Sequence, residues 1–458
     1  MTDASDAHDD EARDRADAVY DALIARVGEG SPRPRLAPTR RTVELLGDPH
    51  RAAPVIHITG TNGKTSTSRM IESLLRASGL RTGLLTSPHL ERFTERIRID
   101  GAPITDEAVA RNWDEILPFL AIVDVELEDA GDEPLTYFEA LTVLAFACFA
   151  DAPVDVVVLE VGMGGEWDST NVADGQVAVF TPIDLDHQSR LGNTIVEIAR
   201  TKSGIIKPMA AVVSAKQRAE SLEVLEEAAE LTESTLAVEG DAFDVLESRV
   251  AVGGQLVTIR GLAGEYRDFA LPIFGRHQAE NAAVAIAAVE AFIGGGAVRL
   301  ADEVVEAGLA GAASPGRFQA IAAEPTVIVD AAHNPHGARA LVDALDEYFD
   351  FDDIVFVFGV LADKDADGIV EELARANGTF IVTTSHSERA RDVHELAGIV
   401  ATHVGADRVQ AVERLDDALD EARAWAADAP KRAVVVTGSI VLVGEAMSIA
   451  SDRGWGRV

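Results

Sequence analysis

Six consecutive residues, Gly60-Thr61-Asn62-Gly63-Lys64-Thr65, within the stretch HITGTNGKTST (57–67), have the composition of a phosphate cradle. Glycines let backbone N–H groups approach phosphate oxygens closely, Lys64 supplies a cation, and the Thr65 hydroxyl is a ligand suited to Mg2+. The common spelling, G-x-x-x-x-G-K-[ST], has a further glycine where this chain has Ile58. The same residues would also serve as a glycine-rich turn leading into a helix cap.

A second candidate is Lys202, in GNTIVEIARTKSGIIKP. It lies three, four and seven positions after Ala199, Ile198 and Ile195, on the apolar face of a helix opened by the capping-box pair Thr194 and Glu197. Such a lysine either snorkels to the edge or is desolvated towards a neutral amine, which can add CO2 and become an anionic carbamate. Polar residues also stand at the ends of apolar runs: Thr59, Ser87, Glu160 and Asp184 to His187. Oxygen ligands from Thr65, Ser87 and Glu160 suit a hard cation, whereas His187 is softer and would support a second site or be a core histidine. In DAAHNPHGARAL, Asp330, His333 and Asn334 offer an acceptor, a titratable ring and an amide within one turn, for helix capping or for chemistry. Arg317, in SPGRFQ, would grip phosphate bidentately or pair with surface acid.

These residues need a scaffold that brings strand ends together. PVIHIT, TGLLTS, VDVVVLEV and QVAVFTPI read as strands alternating with helices, the pattern of a parallel α/β sheet covered on both faces. A second alternating series, TVIVDAAHNP, DIVFVFGV, GTFIVTTS and RAVVVTGS, follows a glycine cluster. The predicted organisation is an acidic extension with a first helix over 1–35, a domain over 36–295 and another over 296–458. In open parallel sheets ligands collect outside the carboxyl ends of the strands, where the polar residues above would lie.

Composition narrows the partners. Among 458 residues, 40 basic against 77 acidic side chains give a net charge of −37, which repels nucleic acid and anionic membranes. Lysine is scarce, at positions 64, 202, 207, 216, 364 and 431, and the acidic shell suits a salt-rich cytoplasm. The single Cys148 sits in an apolar run and reads as a buried thiol with no disulfide partner. No secretory h-region and no run of roughly 20 apolar residues is visible, so a cytoplasmic protein is expected.

Taken in order, HITGTNGKTST, TSPHLERFTERIRIDG, LTYFEALTVLAF, VVLEVGMGGEWDSTNV, LDHQSRLGNTIVEIARTKSGIIKP, GRHQAENAAVA, SPGRFQ and DAAHNP resemble the signatures of the folylpolyglutamate synthase and dihydrofolate synthase family, a branch of the Mur-type ATP-dependent ligases. The resemblance implies an N-terminal, mostly parallel P-loop ATPase-type sheet domain and a smaller C-terminal Rossmann-like α/β domain, with substrates bound between them. It implies that Gly60 to Thr65 hold the ATP phosphates and that Ser87, Glu160 and His187, with Thr65, help bind Mg2+. Lys202 would be the carbamylated lysine beside the metal, with a monovalent cation such as K+ as a further cofactor candidate. Asn281 would lie near the adenine, Arg317 near the phosphates, and Asp330 with His333 on the second domain would complete the site. Lys64, Lys202, Arg317 and His333 are the expected catalytic set.

The implied reaction makes an amide between L-glutamate and dihydropteroate or a reduced folate, through an acyl phosphate, in a monomer that binds only small molecules. Two rivals are a Mur-type ligase with another carboxylate acceptor and a nucleotide-binding switch without ligase chemistry. Departures from the family pattern are Thr65 and Ala331 where glycine is usual, and Glu166-Trp167 where arginine and leucine are usual.

Overall fold

The computed structural model describes residues 3–28, 33–312, 314–387 and 389–455. Of the expected 1–35 segment, residues 1, 2 and 29–32 lie outside the described residues. The chain forms two compact units: 1–247, 257–270 and 280–312 make the first, and 248–256, 271–279 and 313–458 the second.

The first unit is built on β1 (Val55–Thr59), β2 (Thr82–Leu85), β3 (Ile97–Ile99), β4 (Ala102–Pro103), β5 (Val156–Glu160), β6 (Gly175–Phe180), β7 (Ala211–Ser214) and β8 (Thr235–Val238). Their order is β4-β3-β2-β5-β1-β6-β7-β8. From β2 to β8 the pairings are parallel, and β3 and β4 add antiparallel strands at one edge. All residues of β1 and β5 are buried, which explains why VIHIT and VVVLE read as near-continuous apolar runs. One face carries the Asp106–Asp129 and Tyr137–Asp151 helices, whose Trp113, Leu141, Phe146 and Phe149 join Leu85 and Leu159 in one core. Ala16, Val19 and Leu23 of the Asp3–Ile24 helix enter that core, and Arg35 ties its neighbourhood to Glu139. The N-terminal stretch is therefore an integral layer of the unit. Cys148 is buried in the same cluster, and burial pushes its thiol up.

The second unit contains parts of a sheet ordered β11-β10-β9, from β9 (Asp244–Ala251), β10 (Gly254–Arg260) and β11 (Glu265–Leu271). Its main sheet uses β12 (Gln319–Ala323), β13 (Thr326–Asp330), β14 (Asp353–Phe358), β15 (Thr379–Val382), β16 (Val409–Ala411) and β17 (Arg432–Thr437), in the order β12-β13-β17-β14-β15-β16. Only β12 pairs antiparallel. Phe356 stacks on Phe380 at 5.1 Å within its core.

The change of unit does not fall at residue 295. Glycines 294–296 merely join the Arg276–Gly294 and Asp302–Ala310 helices, and Gly308 of the latter lies so close to Leu74 that a Cβ would stand 2.9 Å from its Cα. That close packing keeps 280–312 with the first sheet. The strands β9 to β11 were not anticipated, because their alternating exposed positions, as in SRVAVGGQ, lack the long apolar runs of the parallel strands.

Candidate active site

Register brings the predicted residues of the first unit to one edge. Ile58 pairs with Glu160, Thr59 with Phe180, and Leu85 with Leu159, so the carboxyl ends of β1, β2, β5 and β6 lie side by side. There β1 turns through Gly60 to Gly63 into the Lys64–Ala77 helix. Both glycines have positive φ, 152° and 84°, and neither site admits a side chain. A Cβ on Gly60 would stand 1.9 Å from Thr181 Oγ1, and one on Gly63 would stand 2.6 Å from Asn281 Oδ1. Asn281, buried on the Arg276–Gly294 helix, therefore does meet the loop. The N-cap of the Lys64–Ala77 helix is Gly63, which supplies no side-chain cap, so the positive end of the helix dipole faces the turn.

The loop is braced from the β6 side. Thr61 Oγ1 donates to the Asp184 carbonyl and accepts from the Asp184 N–H, both at 3.0 Å. Lys64 Nζ donates to the carbonyls of Gly60 and Thr61, at 3.1 Å each, folding over the turn it would serve.

The five expected metal residues fall into two groups. Glu160, 1% exposed, accepts from Thr65 Oγ1 at 2.8 Å and from the Ser87 N–H at 3.3 Å, so those three converge. His187 and Lys202 line a small cavity with Gly60, Thr61, Lys64, Asp186 and the glycine loop 162–164. His187 takes a left-handed conformation (φ 50°), its N–H donates to Asp186 Oδ1 at 2.8 Å, and its Nε2 lies 3.7 Å from Asp186 Oδ2. Among the described residues no group of three or more His, Cys, Asp or Glu side chains forms a ready-made cage. Two hydroxyl residues and a buried carboxylate nevertheless fit the oxygen preference of Mg2+.

Lys202 does not snorkel. It is 4% exposed, and its Nζ donates to the Gly60 carbonyl at 2.7 Å. Burial lowers its pKa to about 7, helped by the Lys64 cation and opposed by Asp186 and Asp168. An amine near neutrality carries a lone pair on an appreciable fraction of molecules, the condition for adding CO2.

In the second unit the candidates gather around Ala331. Arg317 Nη1 donates to the Ala331 carbonyl at 3.3 Å, and His333 Nδ1 lies 2.9 Å from the same oxygen, so Nδ1 carries the proton. Asp330 accepts from the N–H groups of Phe318 and Ala332, at 2.8 Å each. Burial raises its carboxyl, with Arg317 pulling the other way. Asn334 is a cap: its Oδ1 accepts from the Gly337 N–H at 2.8 Å and opens the Pro335–Tyr348 helix. Nearby His277 falls to about 4, through burial and the charges of His336 and Arg317.

Sequence reasoning placed Asp186 only within the strand-end group Asp184 to His187, and gave no role to Asp168, the 162–165 loop or His277. Their signal, polar or glycine residues directly after the β5 and β6 runs, was present in VGMGGEWDS and IDLDH.

Comparison with known proteins gives the family. Residues 58–289 match the Mur ligase middle domain, and 316–440 match the Mur ligase glutamate ligase domain. The chain is 44% identical over 437 residues to the dihydrofolate synthase/folylpolyglutamate synthase of Mycobacterium tuberculosis, covering 91% of this chain and 90% of that protein. A structure of Mycobacterium tuberculosis folylpolyglutamate synthase complexed with ADP and AMPPCP superposes with a TM-score of 0.91 at 42% identity, covering 98% of this chain and 99% of the other. The Escherichia coli FolC structure in complex with DHPP and ADP gives a TM-score of 0.79 at 31% identity, covering 92% and 94%.

Proposed function

The chain belongs to the dihydrofolate synthase/folylpolyglutamate synthase branch of the Mur ligases, and from that premise we propose how its own residues carry an ATP-dependent glutamate ligation. The reading rests above all on one observation, the hydrogen bond from buried Lys202 to the carbonyl of the phosphate-cradle residue Gly60.

A carboxylate does not acylate amines because its leaving group would be oxide. An oxygen of the acceptor carboxylate attacks the γ-phosphorus of ATP, ADP leaves, and an acyl phosphate forms. The glutamate amine then attacks the acyl carbon, phosphate leaves, and the amine loses its proton. Gly60 to Thr65 bind the triphosphate, Lys64 turning from the Gly60 and Thr61 carbonyls towards phosphate oxygen. Asn281, against Gly63, sits beside the nucleotide's base. Thr65, Ser87 and Glu160 would hold Mg2+, while His187 and Lys202, the latter carbamylated in this reading, line the cavity beside Gly60. The metal, when bound, neutralises phosphate charge. Arg317, Asp330 and His333 belong to the second unit, and their role in phosphate transfer is carried by the resemblance.

The acceptor is dihydropteroate, a reduced folate, or both; the similarity to a protein named dihydrofolate synthase/folylpolyglutamate synthase supports this reading. A cytoplasmic, salt-adapted monomer fits the charge of −37, and among the described residues no helix is long and apolar enough to cross a membrane. A monovalent cation such as K+ remains part of the proposal.

The deciding experiment is phosphate release from ATP with glutamate, comparing dihydropteroate with tetrahydrofolate, and product mass raised by one glutamyl unit. Lys202→Ala should lower turnover by about 10³-fold, as loss of a preorganised charge does. Unchanged turnover would favour a switch without ligase chemistry.

A further inference from the structure

His57, Thr170 and Asp168 are buried polar residues that the reaction scheme above does not use. They form a chain. Thr170 Oγ1 donates to Asp168 Oδ1 at 2.5 Å, and the Thr170 N–H donates to the same oxygen at 3.0 Å. His57 Nε2 lies 2.9 Å from Thr170 Oγ1. A hydroxyl has one proton, and here Asp168 receives it, so His57 donates through Nε2–H and its Nδ1 is bare. That Nδ1 is buried without a partner. An apolar side chain in the middle of β1 would avoid this cost, which a purely structural strand has no reason to carry.

The chain continues to the site. Asp168 Oδ2 accepts from the Met163 N–H at 3.0 Å, and Thr59 Oγ1 donates to the Gly164 carbonyl at 2.7 Å, so β1 holds the glycine loop at two points. The next residues of that loop touch the helix that carries Lys202. The Glu166 N–H donates to the Thr201 carbonyl at 2.7 Å, and a Cβ on Gly165 would stand 2.7 Å from the Lys202 carbonyl. Lys202 Nζ closes the circuit on Gly60, three residues after His57.

We propose that Asp168, wired through Thr170 to His57, is a positioning residue that sets the glycine loop and thereby the place of the Lys202 amine. The inference rests on the reading of Lys202 as the functional lysine. The shortest contacts between loop and helix are backbone against backbone, and the Asn171 amide bridges the Glu166 and Gly204 carbonyls beside them. A displacement at Asp168 therefore reaches the backbone from which the Lys202 side chain springs. Asp168 touches neither nucleotide nor metal in this scheme and acts through the loop.

The test is Thr170→Val, which keeps the shape and removes the hydroxyl, measured on whichever acceptor turns over. Turnover should fall about 10- to 100-fold, the scale of a small misplacement at a reacting centre. The KM for ATP should hold within about twofold, since residues 60–65 themselves are unchanged. Thr170→Ser, which restores the hydroxyl, should recover most of kcat. Asp168→Asn, near-isosteric, should show the same loss if the valine variant fails to fold. Wild-type kcat in either variant, or a loss that serine does not repair, overturns the proposal. Lys202→Ala run alongside separates the failures: an active Lys202→Ala removes the underlying reading, while an inactive one beside a fully active Thr170→Val removes this inference alone.

Discussion

Each unit has a strand that ends in polar residues and turns into a helix, and the two turns spend their hydrogen bonds differently. After β1, the turn 60–63 leads into a helix whose N-cap, Gly63, supplies no side-chain cap, and its glycines exclude any Cβ. After β13, Asp330 already accepts two backbone N–H groups, and Asn334 caps the following helix. The first turn sets glycine backbone at the helix terminus, an arrangement suited to an anion; the second is capped by its own side chain. Similar strand-turn-helix wording therefore encodes two physical states, and the helix cap distinguishes them.

Three experiments would sharpen or break this contrast. The largest effect is expected from Gly63→Ala. Its methyl meets Asn281 Oδ1, and a positive φ penalises any side chain by about 1–2 kcal/mol. ATP-dependent turnover should drop about 100-fold through a misplaced cradle. Near-normal kcat/KM for ATP would mean that the loop tolerates what the geometry forbids.

A smaller effect concerns acid stability. Burial lowers His57 to about 3 in the folded chain, so between that value and the ordinary histidine range the unfolded state binds more protons. Stability from this group is therefore fully present at neutral pH and is lost as pH falls, by about 2 kcal/mol from pH 7 to 5. His57→Gln should flatten that part of the profile in chemical denaturation followed across pH. An unaltered slope would show that His57 does not titrate with unfolding.

The smallest change belongs to the self-satisfied turn. Asn334→Ala removes a cap and should cost about 1 kcal/mol, read as a lower denaturation midpoint. If the cap is its only role, turnover per folded molecule stays near wild type; a loss of kcat well beyond the loss of stability would give Asn334 a part in the reaction.

Much of the first unit was readable in advance because local chemistry wrote it. Gly60 to Thr65 lie in one turn, and the apolar face of Ile195–Ser203 already carried Lys202. Whether that lysine snorkels was undecidable locally, since both outcomes share one helix pattern. Glu160 and Thr65 are 95 residues apart, and only parallel register puts a 2.8 Å hydrogen bond between them. The first compact unit runs on to 312, past the glycine cluster, for a similar reason: a glycine cluster signals a turn, but which sheet the next helix packs on is a long-range matter.

By itself, then, the sequence determined the long apolar strands of the two main sheets, the phosphate-cradle turn and the kinds of side chain available, because these follow from residue type and short-range periodicity. Tertiary structure alone decided that Lys202 is buried on the Gly60 carbonyl, that Asn334 caps, and that His57 reaches Thr170 across 113 positions of chain. Burial and hydrogen-bond partnership depend on what the rest of the chain brings alongside, and no local pattern specifies that.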